Sequence, residues 1–124
     1  MLGREKTENY LKVILRLQER TRIVRAVEIA SELGVSRATV SVALKDLRLF
    51  GYITMLGDRG IILTEEGRMI AQSVTERYRF YSEMLRSIGI SPKTADQDAC
   101  YLEHGLSQET FDALKTYFRQ KKEC

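Results

Sequence analysis

The sequence predicts a mainly α-helical protein with one short β-ribbon, and three observations carry that reading. Apolar residues recur at helical spacing along most of the chain. Ser, Thr and Gly stand at the ends of those stretches, where helices are capped. One segment alone, around residues 52–63, changes to a strand-like pattern around a Gly-rich turn. At 124 residues, 44% hydrophobic and 30% charged, the chain is too apolar for disorder and of a length for one small domain with a helical extension.

Taken in order, Thr7 is placed as the N-cap of a first amphipathic helix in which Tyr10, Leu11, Ile14, Leu15 and Leu17 recur until about Glu19. Val27, Ile29, Ala30 and Leu33 make a short second helix that stops at Gly34. Ser36 caps a third, running to about Leu49, with Val40, Ala43, Leu44 and Leu47 on one face. Arg37, Ala38, Thr39, Ser41, Val42, Lys45 and Arg48 fall on the rest of it. Residues 52–56 and 61–63 read as strands joined by Gly57-Asp58-Arg59-Gly60. Thr64 caps a long helix carrying Ile70, Val74, Tyr78, Tyr81, Leu85 and Ile88 along one side, about 24 residues and roughly 36 Å, until Gly89. Ser91-Pro92 opens a fifth helix that Gly105 stops, and a last helix from Ser107 presents Phe111, Leu114 and Phe118.

Two short helices joined by a tight Gly turn and followed by a β-ribbon are the order of an N-terminal winged helix-turn-helix, here residues 1–63, followed by a helical domain, 64–124. Each residue type has a physical task. Ala30 is small where two helices cross, Gly34 can adopt the left-handed turn, and Val35, Val40 and Leu44 are placed in the small core. Ser36 caps the recognition helix and points its backbone N–H groups toward phosphate or base edges. Arg25, Arg37, Ala38, Thr39, Ser41 and Val42 join Ser36 as candidate contacts to double-stranded DNA, and Arg59 at the ribbon tip is placed in a minor groove or against phosphate. A winged helix that serves only as a protein-interaction module is the competing reading of the same residues.

Charge supports the DNA reading by its distribution rather than its size. The net charge is +3, and it lies in the middle: residues 20–60 carry seven basic and four acidic side chains, whereas 61–124 carry nine and ten. An enzyme is the least favoured class, because one His, no Gly-rich phosphate loop and no nucleophile elbow leave little to build an active site from. No stretch approaches the roughly 20 apolar residues of a membrane span, and the N-terminus lacks a signal-peptide core, so a soluble, cytoplasmic protein is expected. Cys100 and Cys124 are too few to staple a secreted scaffold and are expected as thiols or ligands.

Cys100, Glu103 and His104 stand at i, i+3 and i+4, which places a thiolate, a carboxylate and an imidazole on one helix face. That donor set suits a divalent transition metal, and the sulfur favours Fe(II), Co(II), Ni(II) or Zn(II) over Mn(II). A half-buried thiol beside a solvated carboxylate is the ordinary alternative. The apolar faces around Ile70 to Ile88 and Phe111 to Phe118 exceed what a small winged helix covers, so a symmetric partner, a homodimer, is expected.

The run Thr7-Glu8-Asn9-Tyr10-Leu11, the helix-turn-helix, Leu63-Thr64-Glu65-Glu66-Gly67 and Asp98-Ala99-Cys100-Tyr101-Leu102-Glu103-His104 together resemble, in order, the DtxR/MntR family of metal-dependent repressors. The resemblance spans nearly the whole chain and is most specific in the last of these runs. It implies a homodimer whose helices after the wing form a metal-binding and dimerisation domain. In that family bound Fe(II) or Mn(II) ties the N-terminal helix to this domain and sets the spacing of two recognition helices on a palindromic operator. It further implies that Cys100, Glu103 and His104 are ligands of the iron-type primary site, with Asn9 where the family places a Met or Asp ligand. Lys12 replaces the carboxylate of the manganese-type site and Tyr78 a His ligand. Asp96 stands in place of a His of the iron-type second site, and Ser82 or Glu83 near its Glu. These departures argue against a two-metal manganese site and motivate a rival reading, a DNA-binding regulator without metal control in which the Lys12 ammonium substitutes for the cation. The SH3-like third domain of longer members is expected to be missing.

Overall fold

In the computed structural model, which describes residues 2–123 with side chains through 121, six helices and two strands follow one another in the predicted order. Helix α1 (Arg4–Arg20) buries Tyr10, Leu11, Val13, Ile14 and Leu17. Against them pack Ile29 and Ala30 of α2 (Ala26–Leu33), and Val40, Ala43, Leu44 and Leu47 of α3 (Arg37–Leu49). Strands β1 (Ile53–Met55) and β2 (Ile61–Leu63) pair antiparallel with Ile53 opposite Leu63 and Met55 opposite Ile61. The inward residues Ile53, Ile61 and Leu63 complete the same core. A bridge from Ile61 N to Val24 O, 2.8 Å, fastens the ribbon to the segment before α2.

Two local expectations are corrected. Helix α1 starts about a turn early, with Gly3 and not Thr7 as N-cap, and Thr7 is buried inside the first turn with its amide on Gly3 O. The cause is non-local: Leu2 packs on the core and its amide donates to Asp46 Oδ2 of α3 at 3.0 Å, so the chain is already anchored before residue 4. Val35, expected in the core, is exposed. It lines a surface hollow with Leu2, Tyr10, Leu33 and Val42, because Gly34 at φ 68° turns the chain outward at the end of α2.

Helix α4 (Glu65–Ser87) begins where the ribbon ends. Thr64 Oγ1 accepts from Gly67 N at 3.1 Å and donates to Gly51 O at 2.7 Å, so the predicted cap also ties α4 to the turn after α3. A Cβ at position 67 would stand 2.0 Å from Tyr52 O, so only glycine lets this helix start so close to the strand.

Packing divides the chain into Met1–Ser73 and Val74–Cys124. This boundary lies inside α4, about three turns beyond the 63/64 division drawn from sequence, since Ile70 and Ala71 belong to the first core. In the second unit Tyr81, Ala99 and Phe111 form the core with Tyr78, Phe80, Met84, Leu102, Leu106 and Leu114. Phe80 packs edge-on against both Tyr81 and Phe111. Ser91 caps α5 (Pro92–Gly105), with Pro92 in the first turn, and Ser107 caps α6 (Gln108–Glu123) by accepting from Thr110 N at 3.1 Å. Cys124 lies outside the described residues. No helix among the described residues is long and apolar enough to cross a membrane.

Candidate DNA-reading face and metal cluster

Helix α3 separates its residues cleanly. Val40, Ala43, Leu44 and Leu47 are buried, while Ser36, Arg37, Ala38, Thr39, Ser41 and Val42 are all exposed. Ser36 Oγ accepts from Thr39 N at 3.1 Å, which satisfies one of the orphan amides at the N-terminus and leaves the exposed first turn fixed in direction. At the wing, Leu56 N donates to Gly60 O at 2.8 Å and Arg59 N to Leu56 O at 2.9 Å, closing a tight loop with Arg59 at φ 67°. That left-handed conformation is one glycine adopts readily, and an exposed arginine holds it here.

Arg25 lies exposed at the start of α2, where its guanidinium stands 3.6 Å from Asp58 Oδ2 and its Nε donates to Asp58 O at 3.5 Å. Asp58 in turn accepts from Gly60 N at 3.0 Å. Arg25 therefore braces the wing tip that carries Arg59. Asp58, which the pattern of residues alone did not single out, is the group through which it does so.

In the second unit one donor atom each from Cys100, Glu103 and His104 lies within 4.8 Å of the others. Glu103 is fully buried, Cys100 and His104 half-buried, and His104 Nε2 lies 3.0 Å from Glu103 Oε1. A carboxylate removed from water is costly unless positive charge meets it. The set of one sulfur, one oxygen and one nitrogen, convergent and shielded, fits a divalent transition metal bound through Cys100 Sγ, a Glu103 carboxylate oxygen and a His104 ring nitrogen. Asn9 and Lys12 are half-buried on α1 and belong to the first unit, so these three residues are what the second unit supplies by itself.

Buried Arg77 of α4 donates from Nε to Glu103 O at 3.0 Å. Four residues on, the Tyr81 hydroxyl is buried with no hydrogen-bond partner among the described residues; burial raises its pKa, and the Arg77 charge works against that rise. Tyr78, Ser82 and Asp96, three positions where the resemblance departs from a second metal site, form a polar knot. Ser82 Oγ donates to Asp96 Oδ1 at 2.7 Å, and Arg86 Nη2 reaches both Asp96 oxygens, at 2.9 and 3.1 Å. The Ser82 hydrogen bond, then Arg86, and last a Tyr78 bond hold the Asp96 carboxyl below the ordinary carboxylate range. The Asp96 carboxylate is thus engaged by a guanidinium and by hydroxyls. Spacing gave no signal for Arg77 or Arg86, because each meets its partner across two helices.

Residues 1–61 match the model of the iron dependent repressor N-terminal DNA binding domain, and residues 64–124 that of the iron dependent repressor metal binding and dimerisation domain. The transcriptional regulator MntR of Salmonella typhimurium is 39% identical over 117 residues, covering 94% of this chain and 74% of that protein. The iron-dependent repressor IdeR of Mycobacterium tuberculosis is 33% identical over 104 residues, 83% of this chain and 45% of that one. Among solved structures the manganese regulator SloR superposes with a TM-score of 0.80 at 26% identity, over 91% of this chain and 53% of SloR, so the chain spans about half the length of that protein. These relatives are transcriptional regulators, not enzymes. The chain belongs to the iron-dependent repressor family of metal-dependent transcriptional regulators.

Proposed function

We propose that the chain is a metal-responsive repressor of metal-homeostasis genes that binds a palindromic DNA operator as a homodimer. Its cofactor is a sulfur-tolerant divalent ion, Fe(II) in the first place, and Co(II), Ni(II), Zn(II) and Mn(II) are its competitors. The observation that carries this reading is the convergence of Cys100, Glu103 and His104 in a chain whose α3 turns Arg37, Thr39 and Ser41 outward. The thiolate favours softer ions over Mn(II), which prefers oxygen donors. When bound, the metal would add positive charge beside the buried Glu103 carboxylate.

The residues of this chain then divide the work. Ser36 orients the first turn of α3, Arg37, Ala38, Thr39, Ser41 and Val42 meet base edges and sugars, and Arg59, braced by Arg25 and Asp58, reaches the flanking backbone or minor groove. In a dimer the two α3 helices address half-sites roughly 34–36 Å apart. Metal and DNA affect one another only so far as each prefers the same dimer state, a coupling of about 1–3 kcal/mol.

Fluorescence anisotropy with operator DNA, under anaerobic Fe(II) and again with chelator, tests the reading. Metal is expected to tighten binding by about 5- to 150-fold. Equal binding in both conditions would overturn metal control and favour the metal-independent regulator. Failure to bind any DNA at low salt would overturn the DNA reading and favour a protein-interaction module, because phosphate-driven binding is strongest there. Monomeric sedimentation on DNA would overturn the homodimer.

A further inference from the structure

The last four carbonyls of an α-helix have no partner within the helix, and an end buried among side chains must find partners elsewhere. In α5 those carbonyls belong to residues 102–105, the turn that carries two members of the metal cluster. Leu102 O accepts from Leu106 N at 3.2 Å. Glu103 O accepts from Arg77 Nε at 3.0 Å, a buried bond across 26 residues of sequence. The cation lies at the negative end of the helix and beside a fully buried carboxylate, so its placement is favoured twice over by charge.

The far end of α5 is tied to the same helix. Asp96, one turn before Cys100, is held by Ser82 and Arg86 of α4. Ala95 and Ala99, beside these ties, are both fully buried. Rotation of α5 about its axis would move Cys100, Glu103 and His104 together, and the bond from Arg77 to the Glu103 carbonyl resists it at the cluster.

We propose that Arg77 is a positioning residue of the metal cluster: by bonding the Glu103 carbonyl it fixes the last turn of α5, so that the three donors converge before any ion arrives. This rests on the metal-binding reading above. Loss of an outer residue that orients ligands typically weakens metal affinity by about 10- to 100-fold, and that range is expected for Arg77→Met. Arg77→Lys keeps the charge and donors but not the planar fork, and is expected to recover part of the loss.

The experiment is a Co(II) titration of the full chain, read by the thiolate-to-cobalt absorption band, for wild type, Arg77→Met, Arg77→Lys and a core control, Phe111→Leu, each checked by helical circular dichroism. The expected result is a wild-type band, weaker affinity with an altered band in Arg77→Met, partial recovery in Arg77→Lys, and an unaltered band in Phe111→Leu despite its lower stability. An unchanged affinity and band in a folded Arg77 variant would overturn the proposal while leaving the metal site standing. A parallel loss in Phe111→Leu would also overturn it, by reducing Arg77 to general stability. Absence of the band in wild type would instead sink the metal reading on which the proposal rests. Should Arg77→Met not fold, the comparison of Arg77→Lys with wild type decides by the same signs.

Discussion

Helices α3 and α5 are built alike at their starts and unlike along their lengths. Each opens on a serine whose hydroxyl accepts from an amide three residues on, Ser36 from Thr39 and Ser91 from Thr94. Helix α3 then fully buries only apolar residues, Asp46 alone among its polar ones being half-buried. Helix α5 buries Ala95, Ala99 and the carboxylate of Glu103. A DNA reader needs its groups outside and rigidly backed, so stability and recognition lie on opposite faces. A metal cluster of the kind proposed needs its donors shielded, and on α5 the candidate donor Glu103 lies on the face that packs.

The largest effect expected from this contrast is on α3. Leu47→Ala removes a fully buried side chain and should cost about 2–5 kcal/mol in urea unfolding. Ser41→Ala, on the exposed side, should leave stability within about 0.5 kcal/mol while weakening operator binding. If Ser41→Ala destabilises the fold as Leu47→Ala does, the two faces are not separable.

On α5 the functional group lies on the buried face, at Glu103. Glu103→Gln keeps the shape of the side chain but replaces an acceptor oxygen by a donor amide and removes the charge; the metal-free protein should keep its helical circular dichroism. The Co(II) response should be lost with the charge. A variant that keeps both the cobalt band and metal-tightened DNA binding would remove Glu103 from the ligand set.

The contrast also explains what could be read from residues alone. Gly34, Ser36, Thr64, Ser91 and Ser107 act within three or four residues of themselves, and each performs the turn or cap its type implies. The exposed face of α3 and the i, i+3, i+4 cluster of α5 were legible for the same reason, since helical spacing fixes which side chains share a face. Thr7 was misplaced because Leu2 bonds Asp46 across 44 residues, and Val35 because the left-handed turn at Gly34 directs the chain outward. Arg77, Asp58 and Arg86 were invisible because their partners stand 26, 33 and 10 residues away.

A smaller effect tests the wing. Arg59 sits at φ 67°, where a side chain strains the backbone by roughly 1–2 kcal/mol and glycine does not. Arg59→Gly should raise the unfolding midpoint modestly, by about 1 kcal/mol or less once glycine's extra unfolded-state entropy is counted. It should also weaken DNA binding and flatten its salt dependence by about one counterion. Stabilisation without loss of DNA affinity would show that the arginine is not retained for contact.

The smallest effect concerns the tie at the start of α5. The Ser82 hydrogen bond and Arg86 depress the Asp96 carboxyl in the folded chain, so its contribution is fully present above the pKa of the unfolded chain and is lost as pH falls through the lower folded value. The stability gap between wild type and Asp96→Ala should therefore be widest near neutral pH and close in acid, below the ordinary carboxylate range. Both Asp96 and Arg86 are more than one-third exposed, at 42% and 47%, so water and salt screen the pair and the gap stays small throughout. Added salt should trim the Arg86 share and spare the Ser82 hydrogen bond, since only the former is a pairing of full charges. Thermal unfolding of the two proteins across pH, at low and high salt, makes the measurement. A gap that widens on acidification would reverse the sign and remove Asp96 as the anionic anchor of the ligand helix.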